Sequence, residues 1–121
     1  MILTISQMLV RITGVLLLIL GLLIWAENMA NLIEIHMLLG VIFVLSLWVF
    51  AVAAVRAGAS AGAAAGVAVM GLLVIAIGMT QDTVFQAQLA IKIVHLLVGM
   101  AAIGLAEAVG GRIRRIRLAS A

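Results

Sequence analysis

The two histidines of this chain stand in the same short frame, Ile35-His36-Met37-Leu38-Leu39-Gly40 and Val94-His95-Leu96-Leu97-Val98-Gly99. Each frame lies inside a long apolar run, and each histidine is followed four residues later by a glycine. An ionisable side chain at membrane depth is expensive, so its default reading is functional. Two in matching frames point to one shared ligand. A haem iron accepts two axial imidazoles on opposite faces, and the facing helices of a four-helix bundle can supply them. Gly40 and Gly99 fall on the same helix face as their histidines, one turn away, where a missing side chain makes room for a flat macrocycle.

The sequence has no cysteine. That excludes disulfides, thiolate metal centres, iron–sulfur ligation and covalent haem attachment, so a haem held here is non-covalent, of the b type. Lys92 lies three residues before His95, on the same face and nearer the outer end, where haem propionates would emerge. A buried carboxylate needs such a partner, although a lysine there can also snorkel to the outer headgroups. Other uses of the histidines stay open. Each ring can bond a neighbouring helix and bind nothing, or the pair can serve bacteriochlorophyll, a metal ion or a proton relay.

Glu107 is the one acid read as lying within a span, close to the cytoplasmic end of the fourth apolar run. A charge removed from water needs compensation, which Arg11, Arg56 or Arg112 can provide in a structural ion pair. As a functional group, Glu107 would carry protons at a quinone pocket.

The elements that must position these residues follow from composition. Of 121 residues 68% are apolar and 9% charged, with a mean hydropathy of +1.46. A soluble fold of this size could not bury that much hydrocarbon. Crossing a bilayer core of about 30 Å takes about 20 helical residues, and four runs qualify: about Met8 to Ala26, Leu32 to Val55, Ala61 to Met79 and Ala87 to Val109. The expectation is one all-α membrane domain over residues 1–121. Glu27 to Asn31, Ala57 to Gly62 and Thr80-Gln81-Asp82-Thr83 read as connections, the second short enough for an antiparallel hairpin. The first run is long and lacks a clear small-residue cleavage site, so it reads as a retained span and not a signal peptide.

The high pI of about 11.3 does not point to nucleic acid, because the basic residues sit at the ends of the runs. Arg11, Arg56, Arg112, Arg114, Arg115 and Arg117 fall at one face, and only Lys92 lies toward the other. The positive-inside rule then puts both termini in the cytoplasm and the protein in the cytoplasmic membrane. Proline is absent, and no run is broken in its middle, so the discontinuous helices of many transporters are not signalled. Gly58, Gly62 and Gly66 recur every four residues among alanines and predict a smooth strip for close helix packing.

The chain also matches itself. Gly14 to Gly21 aligns with Gly71 to Gly78 at an offset of 57, and His36, Leu38, Gly40 and Arg56 align with His95, Leu97, Gly99 and Arg115 at an offset of 59. The difference falls in the outer loops, where insertions are cheap. Two halves of two spans each share one orientation, so an axis along the membrane normal relates them. Each histidine lies 20 residues from its matched arginine, about 30 Å along a helix, which sets both imidazoles at one depth in the outer part of the bilayer.

The segment Arg11-Ile12-Thr13-Gly14-Val15, preceded by Ser6 and followed by Gly21-Leu22-Leu23-Ile24-Trp25, resembles the first span of the cytochrome b membrane-anchor subunits of succinate dehydrogenase and fumarate reductase. In that family a haem-ligating histidine in an H-x-x-x-G setting follows in the next span, as His36 and Gly40 do here. The resemblance implies a quinone site that includes Ser6 and Arg11, to which Glu107 is the natural proton-carrying addition.

The sequence thus predicts an all-α four-span bundle of two tandem two-helix repeats with one haem b between His36 and His95. It would exchange single electrons between that haem and a quinone or a partner redox subunit. Within an enzyme it would be the cytochrome b subunit of a membrane oxidoreductase. Two other classes compete. One is a cofactor-free accessory or scaffolding subunit that packs on a larger membrane complex through the glycine strip. The other is a small proton-coupled transporter, in a homo-oligomer, using the histidines and Glu107.

Overall fold

A computed structural model of the chain describes residues 1–81 and 88–121. Asp82, Thr83 and the expected start of the fourth run at Ala87 lie outside the described residues. Four helices form: α1 over Ile2–Ala26, α2 over Ile33–Arg56, α3 over Ala61–Thr80 and α4 over Gln88–Ala119. A 3-10 turn over Ala30–Leu32 leads into α2. All four helices are long and apolar enough to cross a membrane, and the protein is a multi-pass membrane protein. Large exposed side chains such as Ile19, Val52 and Leu72 suit a lipid surround, where their exposure costs nothing.

A helix suits lipid because every backbone group is paired within the segment. The hydroxyls follow the same rule. Ser6 Oγ donates to the Ile2 carbonyl at 2.8 Å, Thr13 Oγ1 to Leu9 at 2.6 Å and Ser46 Oγ to Ile42 at 2.7 Å. The connections are built from residues that tolerate unusual backbone. Asn28 takes φ 57° after α1, a left-handed conformation that asparagine visits more readily than most residues. At the end of α2 the Ala59 amide donates to the Ala54 carbonyl and the Gly58 amide to Val55, with Gly58 at φ 98°. That pattern is a Schellman motif, which places glycine just past a helix end. Ser60 then opens α3 by accepting a bond from the Ala63 amide at 3.3 Å, as an N-cap serine does.

The helices pack in a ring, α1 on α2, α2 on α3, α3 on α4 and α4 back on α1. Across the middle, α2 meets α4 while α1 and α3 stay apart. The inward residues alternate steps of four and three along each helix, the spacing of a bundle seam. On α2 they run His36, Gly40, Phe43, Leu47, Phe50, Ala54, and on α4 His95, Gly99, Ala102, Ala106, Val109, Ile113. Every member of one row is the 59-residue counterpart of the other. Val10, Gly14, Leu17 and Gly21 on α1 pair in the same way with Val67, Gly71, Val74 and Gly78 on α3 at 57. The two halves are therefore equivalent through the whole interior.

Equivalent positions do not carry equivalent volumes. Phe43, Leu47 and Phe50 on α2 answer Ala102, Ala106 and Val109 on α4, and all six are buried. Large against small fills the diagonal at native density, whereas a strictly repeated row of phenylalanines would overpack it. The dense core thus occupies the half of the bundle nearer Arg56.

Three sequence expectations need correction. The first helix begins at Ile2 and not near Met8, which brings Ser6 and Gln7 into regular structure. The fourth does not stop at Gly110-Gly111 but runs to Ala119, because neither glycine adopts the left-handed backbone that ends a helix. Its 32 residues reach about 48 Å, so the arginine tail is helical. The glycine strip is shorter than expected, with Gly62 and Gly66 on one face of α3. Gly58 belongs to the turn before α3, a Cβ on Gly62 would meet nothing within 4 Å, and a Cβ on Gly66 would lie 3.5 Å from Leu105.

Candidate functional site

Toward the other end the bundle opens into a largely apolar cavity of about 660 Å³. Gly14, Phe43 and Ile103 form its floor, where the dense core begins, and Trp25, Gln81 and Lys92 stand higher in its wall. Both histidines line it, His36 from the first turn of α2 and His95 from α4, the two helices that meet on the diagonal. Their ring centroids are 6.4 Å apart, with an interplanar angle of 55°. The Nδ1 atom of each ring is buried and has no hydrogen-bond partner. Buried polar atoms are normally paired, so two matched exceptions call for an explanation.

The glycines divide into two sets. Gly40 and Gly99, one turn from the histidines, line the cavity, and a Cβ on either would meet no atom within 4 Å. They keep space open. Gly21 and Gly78 come from the preceding helix of each half and clear room for the rings. A Cβ on Gly21 would lie 3.3 Å from His36 Cε1, and one on Gly78 would lie 3.0 Å from His95 Cε1. This second pair is missing from the sequence-based site. Its signal was present, because Gly21 and Gly78 already aligned with each other in the internal repeat, but nothing in the sequence tied them to the histidines.

The residues fit a flat bis-imidazole cofactor. Two imidazoles on one metal, each bonded at about 2.0–2.1 Å, hold their ring centres about 6 Å apart, and the observed separation is 6.4 Å. The planes of two axial rings are free to rotate about their common axis, so an angle of 55° is compatible with shared ligation. The cavity lies within the roughly 300–1,000 Å³ of small-molecule and cofactor sites. By contrast, no group of three or more His, Cys, Asp or Glu side chains gathers among the described residues, and a zinc site made of protein ligands alone needs three or four.

Ser6, Arg11 and Glu107 are only partly brought together. Arg11 grips Glu107 with two bonds, Nε to Oε1 at 2.5 Å and Nη2 to Oε2 at 2.7 Å. Gln7 adds a third, from Nε2 to Oε2 at 3.2 Å. Of the three arginines that could have answered Glu107, it is the one on α1 that does so, which ties α1 to α4. Gln7 was not singled out from sequence, although it lies four residues before Arg11 and so on the same helix face. Ser6 points elsewhere. Its hydroxyl is spent on its own helix, and it lines a separate apolar groove of about 260 Å³ between α1 and α2, beside Ser46. The ion pair lies in neither hollow.

Comparison with known proteins adds nothing to this geometry: no family model, no curated protein and no solved structure matches the chain.

Proposed function

We propose that the protein is a small membrane cytochrome that carries electrons on one haem b held between His36 and His95. The observation that carries this reading is the pair of imidazoles, one from each half of a duplicated hairpin, facing one another at 6.4 Å inside a cavity. Haem would supply reversible one-electron chemistry at iron, its potential set by the axial ligands, burial and nearby charge.

The chain's own residues have distinct tasks. His36 and His95 would hold the iron through their rings, and because they stand on separate halves, a shared group would tie the halves together. Gly40 and Gly99 leave the flat space beside them. Lys92 lines the same cavity and offers a cation to the propionates, whose charge needs a partner in a low-dielectric setting. Most of the wall is apolar, as in most small-molecule and cofactor sites. Arg11, Gln7 and Glu107 form an ion-paired strap at the opposite end. Exchange of electrons with a quinone or a partner redox subunit is supported by the resemblance of Arg11 to Val15 to the cytochrome b anchors. Both termini belong in the cytoplasm, with the protein in the cytoplasmic membrane, because Arg56 and the arginine tail share one end of the bundle.

The test is an absorption spectrum of the purified, detergent-solubilised protein, oxidised and then reduced with dithionite. A sharp Soret band with split visible bands on reduction, at one haem per chain, is expected. A colourless preparation from haem-replete cells overturns the reading.

A further inference from the structure

Gly21 and Gly78 are the least expected members of the site, and the geometry points to them as positioning residues that set the rotation of the two imidazoles. The inference rests on the haem reading above. Each glycine lies on the helix preceding its histidine and presents bare backbone to the Cε1–Nδ1 edge of the ring. For Gly21 a Cβ would stand 3.3 Å from Cε1 and 3.9 Å from Nδ1 of His36. For Gly78 it would stand 3.0, 3.6 and 3.7 Å from Cε1, Nδ1 and Nε2 of His95. With neither Nδ1 hydrogen-bonded, no polar contact fixes ring rotation at that atom. A hydrogen bond from the other ring nitrogen is the usual device for holding a ligating imidazole. Here the space that a bare glycine leaves on the neighbouring helix sets how far each ring can turn.

The two contacts are not equal. A methyl group at position 78 would stand 3.0 Å from Cε1, tighter than nine in ten real Cβ contacts, with the two nitrogens at ordinary contact distance, so the His95 ring must give by a few tenths of an ångström. At position 21 the intrusion is milder and meets two atoms, so His36 turns less. The tighter clearance is therefore on the α3–α4 half, and a Cβ there should change the angle of 55° between the rings more than one at position 21.

Electron paramagnetic resonance of the oxidised protein reads this angle directly, because the largest g value of a low-spin haem rises as two axial imidazole planes move from parallel toward perpendicular. Gly78→Ala is expected to shift that g value, or to convert part of the signal to high spin, while haem remains bound. Gly21→Ala is expected to produce a smaller shift in the same measurement. A change confined to thermal stability would mark a purely structural role. Two alanine variants that keep the wild-type g value and full low-spin character overturn the inference while leaving the haem reading intact. If the wild-type protein shows no haem spectrum, both fall, and the failure appears in the parent and not in the variants. Should Gly78→Ala fail to accumulate, Gly21→Ala, whose added Cβ is less crowded, supplies the comparison with the parent.

Discussion

Arg11 and Glu107, on the first and last helices, are joined by two hydrogen bonds of 2.5 and 2.7 Å. A carboxylate left alone in hydrocarbon is the costly alternative. Replacing Arg11 with Met is therefore expected to lower the thermal midpoint in detergent, and Arg11→Met combined with Glu107→Leu is expected to recover part of the loss, because removing both partners leaves no unpaired charge. A double variant less stable than the single one would show that the pair contributes more than mutual neutralisation.

His36 and His95 are predicted to be individually indispensable. His36→Ala and His95→Ala should each abolish the low-spin haem spectrum, since either change leaves one axial ligand. Retention of the full low-spin spectrum by either variant contradicts shared ligation, and reduced-minus-oxidised difference spectra decide it.

Gly40 and Gly99 separate a cofactor site from an empty hollow. A helical glycine costs roughly 0.5–1 kcal/mol relative to alanine, and a Cβ at either position meets nothing in the protein. Gly40→Ala and Gly99→Ala should thus stabilise the haem-free protein by up to about 1 kcal/mol, yet lower the haem-to-protein ratio, because the methyl group enters the space kept for the macrocycle. Unfolding of protein made under haem limitation and haem quantification of the replete form measure the two effects. An unchanged ratio would place the macrocycle elsewhere in the cavity.

Gly110 and Gly111 are neighbours with opposite expectations. A Cβ on Gly110 would run into the carboxamide of Gln7, while one on Gly111 meets nothing within 4 Å. Gln7 can swing aside only by giving up its bond to Glu107, so Gly110→Ala should destabilise by about 1 kcal/mol, the worth of one hydrogen bond, whereas Gly111→Ala should be neutral or stabilising by up to about 1 kcal/mol. Thermal unfolding of the two variants side by side checks this.

Orientation follows from the arginines. A reporter fused to the C-terminus is expected to be active in a form that works only in the cytoplasm, and a form that works only outside should stay silent. The reverse pattern would overturn the proposed topology.

Much of this molecule was legible in its residues. The four spans could be read because apolar runs of that length have no other stable home, and the all-α class follows because isolated helices satisfy their own backbone in lipid. The equal depth of His36 and His95 also came from sequence, through the 59-residue offset they share with Gly40 and Gly99, since rise per residue converts spacing along a helix into depth.

What tertiary structure decided is everything that depends on how closely two helices approach. Sequence offered three arginines for Glu107 and could not choose, because the choice depends on which helix closes the ring against α4. It marked Gly58, Gly62 and Gly66 as a packing strip, but the turn claimed the first and no helix of this chain came near the second. It aligned Gly21 with Gly78 without revealing that each lies against an imidazole edge. Periodicity within one helix reports which residues share a face, whereas the distance from that face to its neighbour is set by the packing of every other side chain between them.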